Sequence, residues 1–166
     1  MSKKLTEKRL LNIALFYLSR YEASEKKLRA VLSRRVLKMK SRGEEVPEEV
    51  SGWIEHVIEK TKNYSYINDE RYAENKVRSM VEQGKSERYM CLKLQEAGID
   101  SQTVHRLLEE IDSTEEERAL CYARKKKLGI FRPMEQRDNF RQKDMATMAR
   151  AGFSYDVVLS VLDEEK

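Results

Sequence analysis

The chain of 166 residues contains few of the residues that interrupt helices, with only six Gly and two Pro. It also lacks runs in which Val, Ile or Thr alternate with polar residues, the pattern of a half-buried strand. Leu, Glu, Lys, Arg and Ala, most of which favour helices, dominate instead. This composition predicts an all-α protein.

Cysteine, histidine and long apolar runs are also scarce. No stretch approaches the roughly 20 apolar residues that cross a bilayer, so we expect no membrane association. The two cysteines, Cys91 and Cys121, have no CxxC partner, which predicts reduced, mostly buried thiols in a cytoplasmic protein. The two histidines, His56 and His105, are expected at the surface or boundary of helices, so no metal site is predicted.

Catalytic signatures are missing as well. The patterns HExxH, GxxxxGK[ST], GxGxxG and GxSxG, which mark metalloproteases, P-loop proteins, dinucleotide-binding proteins and hydrolases, do not occur. The carboxylates stand at i, i+4 from Lys or Arg, which indicates ion pairs on helix surfaces. We therefore expect no enzymatic activity and no cofactor.

The charge of the chain alternates along its length. The net charge is +4 overall, but +6 over residues 1–67, −3 over residues 68–112 and +7 over the local stretch 118–150. Two basic zones could therefore contact a polyanion, while acidic residues limit indiscriminate binding. The alternative is that these charges are simply solvated helix faces.

Apolar spacing and capping residues predict three short helices in the first part of the chain. The first helix is expected from Glu7 to Arg20, and Ser24 can cap the second. A charged stretch over residues 38–45 interrupts the pattern. Pro47 is then expected in the first turn of the third helix.

The same order of helices recurs twice. Asn68 and Asp69 can cap a fourth helix, Ser86 a fifth, and Asp100 a sixth, each followed by apolar residues at helical spacing.

The last three helices are predicted from similar signals. Thr114 and Glu117 form a capping-box pattern at the start of the seventh helix. The eighth is expected from Arg141 to Arg150, and the ninth after a cap at Ser154.

A gapless internal match supports a repeat. Residues 95–108 align with residues 149–162, and the alignment pairs Ala97-Gly98 with Ala151-Gly152 as well as the apolar positions that follow. We predict three tandem three-helix repeats in an elongated, curved array that acts as a monomer, with each repeat contacting mainly its neighbours. The expected repeats are residues 1–67, 68–112 and 113–166.

The middle repeat carries a recognisable motif. It reads Tyr66-Ile67-Asn68-Asp69, then Arg71-Tyr72-Ala73, and later Gly84, Arg88, Leu94 and Gly98-Ile99. This order resembles the signature of the RecX family of regulatory proteins, whose members consist of three such repeats. Ser65 and Tyr89 depart from it, because Gly and Ile usually stand at those positions.

The resemblance implies a function in DNA repair, DNA recombination and the SOS response. RecX proteins lie in the helical groove of the filament that the RecA recombinase forms on single-stranded DNA. They limit filament growth, ATP hydrolysis, strand exchange and repressor cleavage. The implied partners are thus the RecA filament and the single-stranded DNA within it, with weak direct DNA binding as an addition.

The candidate binding residues are the basic side chains of the second and third repeats. Arg71 and Arg78 are seven residues apart and so share a helix face, whereas Asp69 is expected to cap its helix. Tyr66 and Tyr72 are expected to pack between repeats, with Tyr72 partly exposed. The full candidate set is Arg71, Arg78, Lys85, Arg88, Arg124, Lys125, Lys126, Arg141 and Lys143.

Two other classes of function remain open. One is a helix-turn-helix-like regulator of transcription that reads double-stranded DNA. Its reading helices would be residues 100–111 and 154–163, which contain only Arg106 as a basic residue, so this alternative is disfavoured. The other is an adaptor that docks acidic protein partners without nucleic acid.

Overall fold

The computed structural model of the protein describes residues 4–163. Those residues form nine α-helices and one 3-10 turn at Gly129–Phe131, with no strand among them, so the prediction of an all-α fold is confirmed. The helices follow in three groups of three: α1 Glu7–Leu18, α2 Glu25–Lys40, α3 Val50–Asn63, α4 Asp69–Glu82, α5 Glu87–Glu96, α6 Ser101–Glu109, α7 Glu115–Lys126, α8 Met134–Arg150 and α9 Tyr155–Asp163.

Three of the predicted capping residues lie directly before the helices that they cap. The hydroxyl of Ser24 accepts a hydrogen bond from the amide of Lys27, and the carboxylate of Asp100 accepts one from Thr103. Thr114 and Glu117 form the complete capping box at the start of α7. These bonds satisfy amides that the helix itself cannot pair, so they fix the helix starts.

Three helix boundaries differ from the prediction near charged residues and prolines. The helix α2 continues to Lys40, into the charged stretch, because cations in a last turn are favourable to a helix. The helix α3 starts at Val50, after Pro47, whose carbonyl accepts a hydrogen bond from the Val50 amide. The helix α8 starts at Met134, well before Arg141, and buries only Asp144 and Met148, so its apolar pattern is weak.

Asp69 does not cap its own helix. The side chain of Asn68 does so by accepting a hydrogen bond from the Arg71 amide at 2.9 Å. Asp69 is instead the first residue of α4, and its Oδ1 accepts a hydrogen bond from the amide of Glu25 at 2.7 Å. Asp69 therefore satisfies the start of α2, where a carboxylate is also favoured by the helix dipole.

The scarce residue types lie near the surface. The side chains of His56 and His105 are both exposed. His56 faces the carboxylate of Glu7, and His105 faces that of Glu109. Cys91 and Cys121 are free and only half-buried, less buried than expected. Within residues 4–163, no helix is long and apolar enough to span a bilayer.

Backbone contacts divide the chain into two compact units. The first unit comprises the described residues up to Tyr72 together with Ala97–Ile99, and the second comprises Ala73–Glu96 with the described residues from Asp100 onward. The core of the first unit lies among α1, α2 and α3, and that of the second is formed around α7, α8 and α9. The predicted repeat boundaries after residues 67 and 112 stay a prediction.

The first unit contains a serine–alanine contact at the start of α2. The buried hydroxyl of Ser24 donates a hydrogen bond to the carbonyl of Ala97 at 2.6 Å while it caps α2. The following Gly98 has a φ of +83°, and a Cβ there would stand 2.8 Å from Cβ of Lys26. Backbone and helix start are thus too close for any side chain at residue 98. We call this contact the first junction.

The second unit repeats this contact with aligned residues. The hydroxyl of Ser86 donates to the carbonyl of Ala151 at 2.6 Å and accepts from the amide of Tyr89 at 3.2 Å. Gly152 has a φ of +95°, and a Cβ there would stand 2.6 Å from Oγ of Ser86 and 3.2 Å from Cβ of Arg88. This is the second junction. The Ala-Gly pairs that align in the sequence therefore occupy equivalent contacts.

Gly152→Ala should destabilise the second unit. The new methyl group clashes with Ser86 and the residue must keep a positive φ, so we expect a loss of about 2–3 kcal/mol in the free energy of unfolding. Urea denaturation followed by circular dichroism measures it. Gly52→Ala is the matched control, because Gly52 lies in α3 and a Cβ added there would have open space within 4 Å. The control should stabilise by about 0.5–1 kcal/mol; equal effects of the two changes would refute the close-contact explanation.

A buried carboxylate anchors the connection between α7 and α8. Asp144 is 1% exposed, accepts two hydrogen bonds from Arg132 at 2.7 and 2.8 Å, and accepts a third from the amide of Gly129 at 2.9 Å. Burial alone would raise the pKa of Asp144, but the hydrogen bonds outweigh it and hold the pKa below its ordinary value. The anchor fixes the 3-10 turn against α8.

Asp144→Asn should lower the stability by about 2–3 kcal/mol at neutral pH, since it leaves Arg132 without its charge partner. The folded-state pKa of Asp144 is depressed, so its contribution is present above the unfolded value near 3.8 and is lost as the pH falls through the folded value. The difference between wild type and variant should therefore shrink below about pH 4. Denaturation at several pH values tests this. Asp163→Asn, which breaks an exposed pair with Arg141, is the control and should change stability far less.

Candidate macromolecule-binding surface

The nine predicted binding residues fall on both units. Arg71 belongs to the first unit and the other eight to the second. Seven of the nine are exposed, while Lys85 and Arg141 are half-buried. Exposure leaves most of them accessible to a partner, but their contacts within the chain differ.

Three of the nine are already engaged by oxygen atoms of the chain. Arg141 forms a two-pronged ion pair with Asp163, and hydrogen bonding to that carboxylate raises the pKa of Arg141. Lys125 donates to the backbone carbonyl of Glu82 at 2.8 Å, and Arg71 lies 3.5 Å from a carboxylate oxygen of Glu22. These cations support local structure, and a partner would have to compete for them.

The remaining cations are available. Within the part of the chain that the structure describes, Arg78, Arg88 and Lys126 have no acidic partner within 4 Å. Arg124 lies 5.4 Å from the ring centre of Phe131, and Lys143 lies 5.6 Å from that of Phe140. Such contacts hold a cation without neutralising it.

A cleft beside the second junction combines cations with aromatic rings. Its volume is about 270 Å³, and the residues that line it all belong to the second unit. We call it the junction cleft. Its lining is Lys85, Ser86, Tyr89, Tyr122, Thr147, Arg150, Ala151 and Phe153.

The lysine of the junction cleft stands between two rings. The Nζ of Lys85 lies 5.0 Å from the ring centre of Tyr89 and 5.9 Å from that of Tyr122. On the Tyr89 ring a second cation, Lys93, lies at 5.7 Å. Arg150 adds a further positive charge to the lining, which includes no carboxylate from the described residues. Alternating cations and rings can bind the phosphates and bases of a single strand.

An ion pair between a buried arginine and an exposed carboxylate holds the helices next to this cleft. The guanidinium of Arg118 in α7 is 2% exposed and donates to a carboxylate oxygen of Glu87 in α5 at 2.8 Å. It also donates to the hydroxyl and the carbonyl of Ser113. Since Glu87 directly follows Ser86, the pair fixes the start of α5 and, with it, one wall of the cleft.

Two tyrosines of the family-like motif lie opposite to expectation. Tyr72, expected to be partly exposed, is only 2% exposed, and Nζ of Lys27 lies 5.2 Å from its ring centre. Tyr66, expected to pack between repeats, is 54% exposed, with its ring 6.1 Å from that of Tyr64. Tyr72 is therefore a buried residue of the first unit, and Tyr66 is accessible to a partner.

Lys85 and Arg88 flank the start of α5, as the sequence predicts, but the aromatic neighbours of Lys85 were not predicted. Tyr89 departs from the family motif and lies between basic residues in the sequence. That position could have indicated an aromatic ring among the candidate cations. Tyr122 and Arg150 come from distant helices. No local pattern indicates that they line the same cleft.

Among the described residues, nine helices in three groups of three, with the same serine–alanine contact in two places, define the class of the molecule as an all-α repeat protein. A family model described as the second three-helix domain of RecX matches residues 68–108. The chain is 36% identical over 165 residues to the regulatory protein RecX of Myxococcus xanthus, covering 97% of this chain and 88% of that protein. It is 30% identical over 152 residues to the regulatory protein RecX of Agrobacterium fabrum, covering 91% and 80% of the two chains, respectively.

The chain therefore belongs to the RecX family of regulatory proteins. The fold agrees with this assignment. The crystal structure of RecX from Lactobacillus salivarius superposes with a TM-score of 0.63 at 24% identity, over 95% of this chain and 96% of that one. The same arrangement of helices is thus present in both.

Charge reversal in the junction cleft should weaken binding to single-stranded DNA. The double change Lys85→Glu with Arg150→Glu is expected to lower affinity for labelled oligothymidylate at least about tenfold and to reduce the salt slope by about 1–2. Fluorescence polarisation at several salt concentrations measures both quantities.

The matched control is Lys40→Glu with Arg42→Glu, which reverses two exposed charges outside both the cleft lining and the predicted binding set. A competing variant, Lys126→Glu with Lys143→Glu, tests the basic stretch 118–150. If the competing variant loses more affinity than the cleft variant, the cleft is the wrong site and that basic stretch takes its place.

Proposed function

We propose that this protein regulates the RecA recombinase by binding the filament that RecA forms on single-stranded DNA. Binding would restrain ATP hydrolysis, strand exchange and the co-protease activity of the filament in DNA repair and the SOS response. The observation that carries the proposal is membership of the RecX family over nearly the whole chain.

The charge distribution supports a surface that contacts both protein and nucleic acid. The junction cleft offers Lys85, Tyr89 and Arg150 to a strand, while Arg78 and Arg88, which no described carboxylate pairs, are exposed on the same unit. Acidic residues elsewhere on the chain suit contact with the recombinase and disfavour binding to duplex DNA at large. The contact is therefore proposed to be shared between RecA and DNA.

Reading of double-stranded DNA finds little support among the described residues. A groove-reading helix needs side chains that reach base edges and phosphates. The helix α9 contains no Lys or Arg, and in α6 the guanidinium of Arg106 is paired with Glu110 at 3.1 Å. The last helix of each of these three-helix groups is thus poorly suited to recognition.

The proposal predicts that the protein inhibits ATP hydrolysis by RecA on single-stranded DNA at amounts near or below those of RecA. A coupled ATPase assay with increasing amounts of the full chain measures this. No inhibition, together with tight and sequence-selective binding to duplex DNA, would contradict the proposal.

A triple reversal tests which surface is used. Arg71→Glu, Arg78→Glu and Arg88→Glu together should abolish filament binding while circular dichroism shows unchanged helicity, since all three side chains are exposed. Unchanged inhibition by this variant would show that the filament contacts a different face.

A further inference from the structure

A groove in the first unit is not used by the proposed function. It lies between α1 and α2 and has a volume of about 600 Å³. Apolar side chains from both helices, Ile13, Phe16, Tyr17 and Val31, contribute to its lining. Ile13 and Tyr17 also pack against the core of the unit, so the base of the groove is fixed.

Phe16 projects from the edge of this groove. It is 60% exposed, an unfavourable position for so large an apolar side chain. One contact of its ring is with the guanidinium of Arg20, which lies 4.3 Å from the ring centre. An exposed aromatic ring that adjoins an apolar groove is the usual anchor point of a protein contact.

The other lining residues are strongly cationic. They include Arg9, Arg34, Arg35 and Lys38, and none of the described carboxylates lines the groove. Within residues 4–163, neither Arg34, Arg35 nor Lys38 has an acidic partner within 4 Å. Earlier on the same helix, Arg29 is held by both Glu25 and Glu55. The cations of α2 that line the groove thus differ from Arg29, whose charge two carboxylates neutralise.

Charge and shape together select the occupant. An apolar floor between two helices fits the apolar side chains of an amphipathic peptide, and the cationic rim fits carboxylates on its flanks. A nucleic acid strand fits less well, because bases stack on aromatic faces, and two of the four apolar side chains that line the groove are aliphatic. Ile13 and Val31 offer no stacking surface at all.

We infer that the α1–α2 groove is a docking site for an acidic, amphipathic peptide segment of a protein partner. Apolar residues of the segment insert between Ile13 and Val31 and against Phe16, while its Asp and Glu side chains pair with Arg34, Arg35 and Lys38. This inference goes beyond the proposed function and requires neither RecA nor DNA.

An unbiased displayed library of peptides of about 16 residues is the probe, selected against the full chain. We expect enriched sequences to combine Asp or Glu with large apolar residues at helical spacing. Synthetic labelled peptides are then measured by fluorescence polarisation. Phe16→Ser and the double change Arg34→Glu with Arg35→Glu should each lower their affinity at least about tenfold.

Two matched controls change the same chemistry outside the groove. Leu37→Ser removes an apolar side chain of α2 that is 68% exposed and not part of the lining, and Lys40→Glu with Arg42→Glu reverses two exposed charges nearby. Both controls should change peptide affinity less than about twofold. Replacing the acidic residues of the peptide with Gln or Asn should reproduce the loss seen in the arginine variant.

Several outcomes would overturn the inference. Enrichment of basic or uncharged peptides would do so. The same holds if the acidic peptides are recovered equally well by the unchanged chain and by the variant with Arg34→Glu and Arg35→Glu. Binding that is equal in the groove variants and the controls places the contact elsewhere. A further outcome is that no peptide binds, but labelled oligothymidylate does, and that Arg34→Glu with Arg35→Glu abolishes this binding. The groove would then be a nucleic-acid site. If the same change abolishes self-association in sedimentation, its occupant is a second copy of the chain.

Discussion

A single serine hydroxyl that makes two hydrogen bonds at once supports each compact unit. Ser24 and Ser86 each accept a hydrogen bond from the third amide of the helix that they cap. Ser24 also donates a hydrogen bond to the carbonyl of Ala97, and Ser86 donates one to the carbonyl of Ala151. The second bond brings backbone against helix start so closely that only glycine is tolerated at the next position. Helix initiation and tertiary packing are therefore the same event at these points, because loss of either partner leaves a buried polar group unsatisfied.

The candidate binding surface is a consequence of that arrangement. Lys85 precedes Ser86 and Tyr89 accompanies it one turn later, so the junction that orders the start of α5 also orders the side chains of the cleft. The ion pair between Arg118 and Glu87 lies in the same place and fixes α7 relative to α5. A binding site built on capped helix ends needs no flexible loop to present its cations, which limits the entropy lost when a partner binds.

The sequence predicted the helical fold and the matching Ala-Gly helix ends for physical reasons that are local, but not the hydrogen bond that each serine donates there. A glycine after alanine at a helix end, seen twice with the same spacing, reflects a required positive φ, and Gly98 and Gly152 indeed have it. The start of α8 was missed because that helix buries few apolar residues. The cleft was only half predicted: Lys85 is recognisable as basic, but its proximity to Tyr122 and Arg150 depends on packing between distant helices. The ion pair between Arg141 and Asp163 likewise depends on tertiary structure, so a count of charges along the sequence does not predict it.

Each junction is a head-to-tail contact. The start of the second helix in one group of three meets the end of the second helix in the next group. The helix α5 has both halves, with Ser86 before it and Ala97-Gly98 after it, so contacts of this type could extend a chain without limit. The outer helices interrupt the series. The helix α2 is followed by Gly43, which has a positive φ but where an added Cβ would meet no atom within 4 Å. The helix α8 is preceded by Pro133, which has no hydroxyl to donate. Within the described residues the series therefore stops at α8, because the proline before that helix cannot donate the hydrogen bond that Ser24 and Ser86 donate.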